Sequence, residues 1–273
     1  MAPVNALWAS ENRARSIVLM NPAPMPLHRF HLVIAPRHDA LPSQPNVVTI
    51  TGALSPRRRE DELQAARMRL KTHPRFRAAS SASENGYQAQ GCHPILAVFI
   101  GGQTPAYDVT PAFVDELMTH VLAACDALQG WCLVTTSRRT SAAVERRLSE
   151  RLSAAAQCRL LLIASRDAIE GTMEGLLGAA DVAVVTGESV SMVSEACASG
   201  RPVVIVEPPR QSAGRSGPTK QTRFLQDIMT GGYGCVVPAS ELDAAIQRAA
   251  AASYPKRPLD NFSIVRAAVA RFL

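Results

Sequence analysis

Residues 181–206, DVAVVTGESVSMVSEACASGRPVVIV, hold the arrangement in this chain best suited to binding chemistry. An apolar strand is expected to end at Val185, a small polar turn Thr186-Gly187-Glu188-Ser189 follows, and a helix starts near Ser189. Ser189 is the expected N-cap, and Met192, three positions later, leaves the capping box incomplete. The first-turn amides of such a helix lack intrahelical partners, and with the helix dipole they form an anion site. Glu195, one turn further along, can accept hydrogen bonds from two adjacent hydroxyls such as those of a ribose. The same pattern also fits an ordinary capped helix with a solvated Glu195. Two more loops follow strands that would end at the same edge. Gly101-Gly102 follows the first of them and lets backbone come close to a ligand, although such pairs also make plain turns. Residues 135–140, TTSRRT, place hydroxyls, including Ser137, beside the guanidiniums of Arg138 and Arg139, a set suited to a phosphate. Lys220 and Arg223, at the start of a late helix, can add to that positive field. His38-Asp39, after an earlier strand, is the nominated acid/base pair at a cleft.

Other chemistries fit poorly. The glycines of GTMEGLLG (171–178) do not follow a strand with dinucleotide spacing, and no Walker lysine is present. Ser191 and Ser194 lack the G-x-S-x-G elbow. His93 and His120 have no ligand partners at helical spacing, so no metal site is expected. The 273 residues carry a net charge of +6, and Lys71, Lys220 and Lys256 are the only lysines among 29 basic residues. Aromatic residues make up 5%, with no basic-and-aromatic stripe, which argues against nucleic acid. The six cysteines are scattered without a C-x-x-C pair and read as reduced thiols. No apolar run approaches the length of a membrane helix, and no signal peptide is recognised after Met1, so a cytoplasmic protein is expected.

The elements that must position these residues are a strand-and-helix alternation from residue 91 onward. Apolar runs at 95–100, 131–135, 159–164, 182–185 and 203–206 read as buried parallel strands. Helices are expected at 111–128, 141–155, 169–180 and 189–199, then at 219–230, 241–252 and 261–273. This is the pattern of a doubly wound α/β domain, whose ligands sit beyond the carboxyl ends of the strands. Before residue 91, strands are expected at 16–20, 31–35 and 47–51, a charged surface helix at 57–71 and a linker at 78–91. A polar loop is expected at 210–218. Three domain segments follow from this reading: 1–90 as a partial N-terminal α/β domain with linker, 91–255 as the ligand-binding Rossmann-like domain, and 256–273 as a final helix.

IGG at 100–102, TTSRRT at 135–140 and above all TGESVSMVSEACASGRPV at 186–203 resemble the ELM1 family. LVIAPRHD (32–39), PNVVTITGAL (45–54) and Lys220 with Arg223-Phe224 extend the resemblance over nearly the whole chain. Members of that family are described as mitochondrial fission ELM1-like proteins or, in bacteria, as glycosyltransferases. The family in turn is similar to GT-B glycosyltransferases. The resemblance implies two Rossmann-like domains facing a cleft, with a nucleoside-diphosphate sugar, a UDP-sugar more than a GDP-sugar, held by the C-terminal one. It implies that the amides of Ser191 and Met192 hold the diphosphate and that Glu195 holds the ribose. Gly101, Gly102, Ser137 and Arg138 would line the phosphate side, and the last helix would cross back to the N-terminal domain. No cofactor or metal is implied. Relatives generally carry a further stretch of N-terminal domain, so the N-terminal domain is expected to be reduced here, and His31 stands where they tend to have an acidic residue. The expected function is glycosyl transfer to an unknown acceptor. The alternatives are a nucleotide-sugar 2-epimerase and a non-catalytic adaptor, with peripheral membrane contact and oligomerisation left open.

Overall fold

A computed structural model describes residues 2–55, 59–72, 93–167, 169–211, 219–251, 254 and 257–272. The linker expected at 78–91 and residues 212–218 of the expected polar loop lie outside the described residues. So do the outermost residues of the helices expected at 57–71, 241–252 and 261–273.

The larger of two sheets contains β4 (Ile95–Ile100), β5 (Trp131–Thr136), β6 (Cys158–Leu162), β7 (Val182–Thr186), β8 (Val203–Val206) and β9 (Cys235–Val237). All neighbours are parallel, in the order β6-β5-β4-β7-β8-β9. Numbered within this sheet, that is 3-2-1-4-5-6, the order of dinucleotide-binding Rossmann sheets. The order reverses between β4 and β7, so the loops after these two strands diverge and leave a crevice at their carboxyl ends. The strands are Val-, Leu- and Ile-rich on both faces because helices cover both faces. α3 (Pro111–Leu128), α4 (Ala142–Leu152) and α8 (Leu242–Ala250) bury one side. α2 (Glu60–Lys71), α5 (Thr172–Ala179), α6 (Val190–Ala198) and α7 (Lys220–Thr230) bury the other.

The smaller sheet, β1 (Ile17–Leu19), β2 (Leu32–Pro36) and β3 (Val47–Ile50), is also parallel. The period of two in β2 sends Val33 and Ala35 to one face and Leu32 and Ile34 to the other. α1 (Ala2–Glu11) covers the first face through Ala2 and Ala6. α9 (Asn261–Phe272) covers the second through Val265, Ala268, Val269 and Phe272.

α2 is not only a charged surface helix. Leu63, Ala66 and Leu70 are buried, and the helix packs along α5. Gly175 and Gly178, two of the glycines of GTMEGLLG, permit the close approach: a Cβ on Gly178 would overlap the Leu63 carbonyl oxygen, and one on Gly175 would press on Leu70. Arg201 ties the pair from the side, its Nε donating to Leu177 O at 3.1 Å and its Nη2 to Glu60 Oε1 at 2.8 Å. Gly178→Ala is therefore expected to destabilise by about 1–3 kcal/mol through overpacking. At about 2–4 °C per kcal/mol for a protein of this size, thermal denaturation followed by circular dichroism reads that as a lowered midpoint. An unchanged midpoint would mean that the two helices are not in this contact.

Cys125, Cys132 and Cys197 are buried, Cys158 and Cys235 are half-buried, and these five are free thiols. No helix among the described residues is long and apolar enough to cross a membrane.

Candidate functional site

Three loops meet at the crevice between β4 and β7, joined by a continuous set of hydrogen bonds. Gly101 N donates to Thr186 Oγ1 at 2.8 Å, and that hydroxyl donates to Glu188 Oε1 at 3.2 Å. Thr140 Oγ1 donates to Gly101 O at 2.7 Å and accepts from Ser137 N at 3.0 Å. Ser137 N also donates to Ile100 O at 2.8 Å. Thr140, Thr186 and Glu188 are all buried. They fix the loops after β4, β5 and β7 relative to one another before any ligand is present, which is the preorganisation an electrostatic site requires.

The two glycines owe their identity to this packing. A Cβ on Gly101 would overlap Glu188 Oε1, and one on Gly102 would overlap the backbone of Arg139. Gly187 is buried as well: its N–H donates to Val206 O at 2.7 Å, and its carbonyl accepts from the Gln221 side chain at the start of α7.

Around this framework lies an open groove of about 660 Å³ lined by Ser137, Arg138, Arg139, Glu188, Ser189, Val190, Ser191 and Met192. Val190 apart, each of these lining residues was nominated from the sequence. Ser189 does occupy the N-cap position of α6, but its hydroxyl makes no capping bond. Its ψ is 98°, whereas the bonded caps Thr110, Ser141 and Thr219 have ψ of 161°, 149° and 167°. The expected cap is thus corrected in its chemistry: the backbone rotates the hydroxyl away from the first turn. The first intrahelical bond runs from Val193 N to Ser189 O at 3.0 Å, so the amides of Val190, Ser191 and Met192 precede the hydrogen-bonded ladder. Arg138 and Arg139 are exposed, and among the described residues no side chain pairs with Arg138. A helix N-terminus facing two guanidiniums can bind a polyanion by charge and by directed N–H groups.

Glu188 differs from the two arginines of the lining in its burial. It is 4% exposed, and its Oε2 is buried without a hydrogen-bond partner. Burial raises its pKa above the ordinary carboxylate value, against the opposing pull of its own amide, Thr186, Arg139 and the Gly102 amide. Glu195 sits half-buried on the next turn of α6, beyond the groove lining.

The remaining nominated residues meet at a second place, where the small sheet touches α7. Lys220 Nζ donates to Asp39 Oδ1 at 2.7 Å. Arg223 Nε and Nη2 donate to the His38 carbonyl at 3.1 and 3.0 Å. The His38 ring stands edge-on to Phe224 at 5.5 Å, with Nδ1 buried and unpartnered. Burial lowers the His38 pKa, partly offset by Asp39, so the ring is neutral at neutral pH. Lys220 and Arg223 therefore clamp the turn that carries His38 and Asp39, and Gln221 between them reaches the Thr186–Ser189 turn.

The last helix is expected to cross back to the N-terminal domain, but the sequence singles out no individual residue that joins the two lobes. Asn261, 1% exposed, accepts from Thr51 N at 3.1 Å through Oδ1 and donates through Nδ2 to Thr51 O at 2.6 Å and Ala53 O at 2.8 Å. Ala53 N donates to the buried Ser194 Oγ on α6 at 2.9 Å. A Cβ on Gly52, where φ is +68°, would overlap Ser194 Oγ. The signal available was the T-G-A run ending a strand. At the edge of the crevice Tyr107 donates to Glu207 Oε1 at 2.6 Å, and burial together with that carboxylate pushes the phenol pKa up to about 12. Among the described residues no group of three or more His, Cys, Asp or Glu side chains is placed to hold a metal ion.

Among solved structures, the fold matches the UDP-GlcNAc 2-epimerase from Neisseria meningitidis bound to UDP-GlcNAc, with a TM-score of 0.55 and 12% identity. That alignment covers 97% of this chain and 71% of the other. It also matches the UDP-GlcNAc 2-epimerase from Methanocaldococcus jannaschii, with a TM-score of 0.53 and 14% identity over 98% of this chain and 74% of that one. At these identities the likeness establishes the architecture, a GT-B-like α/β fold with parallel sheets. In sequence, 192 residues are 29% identical to the mitochondrial fission protein ELM1 of Arabidopsis thaliana. The match takes in 66% of this chain and 43% of the plant protein, so the chain spans less than half the length of that curated relative. Residues 2–272 match the sequence profile described as mitochondrial fission ELM1, and the chain belongs to that family.

Proposed function

We propose that this protein binds a nucleoside-diphosphate sugar at the crevice between β4 and β7 and transfers its sugar to an acceptor. The observation that carries this reading is the groove itself, with the uncapped N-terminus of α6 facing Arg138 and Arg139 at the point where the strand order reverses. A groove of about 660 Å³ is within the range of small-molecule sites. The first-turn amides of Ser191 and Met192 would hold the diphosphate, Glu195 the ribose, and Ser137 and Arg138 the opposite side. Departure of the nucleoside diphosphate leaves charge on its terminal phosphate, and the helix terminus and Arg138 stabilise that charge as it develops, with no metal required. His38, neutral and with a free Nδ1, is the proposed base on the acceptor side, and Asp39 is held beside it by Lys220. A UDP-sugar is the favoured donor, and the protein is proposed to work in the cytoplasm.

The 2-epimerase reading is favoured by the fold of both solved structures named above. Turnover of UDP-GlcNAc without any acceptor separates it from transfer. A non-catalytic adaptor is the third reading; the plant relative is named for mitochondrial fission and not for a reaction.

A thermal-shift screen of UDP, GDP, CDP, ADP, dTDP and their sugar conjugates tests the binding step common to both enzyme readings. A ligand at a hundred times its dissociation constant adds about 2.7 kcal/mol, and for a chain of this length a raised midpoint of roughly 5–10 °C is the expected result. A cooperative transition that no nucleotide moves would overturn nucleotide binding and favour the adaptor.

A further inference from the structure

The nucleotide-sugar reading leaves one side chain in the groove without an account. Glu188 lies against Gly101, with Oε1 accepting from Thr186 Oγ1 and Oε2 buried and unpartnered. It is in the groove lining together with the α6 amides and Arg138. A fixed carboxylate in the lining of an anion site is a contradiction in charge: it repels the phosphates that the helix terminus and guanidiniums attract. As a carboxyl group the same side chain is complementary. Its O–H needs an acceptor, and a phosphate oxygen is one.

We infer that the diphosphate ligand and one proton bind together, the proton passing from solvent to Glu188 Oε2 and the resulting O–H facing the ligand. No covalent bond is made or broken, and the proton returns to solvent when the ligand leaves. This assignment makes Glu188 a specificity-determining residue of the site and rests on the nucleotide-sugar reading above.

The surroundings favour this state. Burial already raises the pKa of Glu188, and a bound anion acts in the same direction. The charged groups that face it are few. The loop after β5 brings Arg139, with Arg138 in the same groove; the loop after β4 brings only the backbone of Gly101 and Gly102; β7 brings Thr186, and α6 brings Ser189 and Ser191. Arg139 is exposed, so its effect on the carboxylate is screened by solvent.

UDP-GlcNAc is a suitable probe, because both its phosphates are esterified and neither gains or loses a proton near neutrality. Its affinity for the wild-type protein is expected to fall as pH rises above the Glu188 pKa, approaching about tenfold per pH unit at full linkage. Calorimetric titration at one pH, in two buffers of different ionisation enthalpy, should show uptake of up to one proton per ligand. In Glu188→Gln the amide has the same shape and a permanent N–H donor. The share of uptake and of pH dependence due to Glu188 should vanish, while any contribution from His38 persists in both proteins. Glu188→Ala serves the same purpose if the glutamine variant does not fold. Binding without proton uptake in the wild type, or equal uptake in the wild type and both variants, overturns the inference and leaves the nucleotide-sugar reading intact. No binding of UDP-GlcNAc to the wild type at any pH overturns both.

Discussion

Asn261→Ala should lower stability by on the order of 3–5 kcal/mol, the largest single effect expected from any side chain outside the hydrophobic cores. Three backbone groups lose their partner at once: the N–H and C=O of Thr51 and the C=O of Ala53. Thr51 and Asn261 are both buried. Each unsatisfied group costs about 1–3 kcal/mol, with part recovered where water can enter beside Ala53. For a chain of this length the midpoint should fall by roughly 10 °C. Urea denaturation gives an independent reading, since a pure stability change moves the midpoint and leaves the slope unaltered. Asn261→Asp is the informative companion: it keeps an acceptor for Thr51 N and places a charge against two carbonyl oxygens, and it should be no better than alanine. If either variant melted like the wild type, the bonding between α9 and the end of β3 would be wrong.

Arg138→Ala should do the opposite, removing function and sparing the fold. Arg138 is exposed and unpaired among the described side chains, so its truncation should leave the melting midpoint unchanged. A charge-assisted hydrogen bond to a phosphate is worth about 1.5–3 kcal/mol, which corresponds to roughly a ten- to hundredfold loss of affinity for UDP-GlcNAc. Where the guanidinium also meets charge that develops on the leaving diphosphate, turnover should fall further, by on the order of 10²–10³. Arg138→Lys should recover the charge but not the bidentate geometry, and so restore binding only in part. Affinity within twofold of wild type in the alanine variant would remove Arg138 from the site.

Parts of this molecule are legible in residue order. β4 and β8 lie at the bounds their apolar runs imply, because a strand covered on both faces has no polar position to blur its ends. The lining of the groove, Val190 apart, was legible too, since its residues belong to a short polar run directly after a strand or to the first turn of the helix that follows it. α1 was not: the residues it turns to the small sheet are alanines, while Val4, Leu7 and Trp8 point outward, so its apolar pattern is reversed. β9 was missed because it has three residues at a sheet edge. Gly101 and Gly102 carried a real signal whose internal cause, the buried Glu188 and the Arg139 backbone, is visible only in three dimensions. The pairing of Lys220 with Asp39 spans 181 residues and depends on how two sheets meet, which no local pattern encodes.

Among the described residues the chain passes between the lobes twice, and the two passages lie side by side. One occupies the few residues from Ile50 at the end of β3 to Ala53, whose amide is held by Ser194 on α6. The other runs from Leu259, whose amide donates to Cys197 O at 2.9 Å in the large lobe, to Asn261 in the small one. Asn261 laces them together, so the two connections form a single seam between the lobes. A second seam joins the lobes through the Lys220–Asp39 pair and the grip of Arg223 on the His38 carbonyl. The helix that anchors the first seam is also the helix whose first turn faces the groove. The small lobe is therefore tied to α6 at Ser194, about one turn from the amides that line the groove.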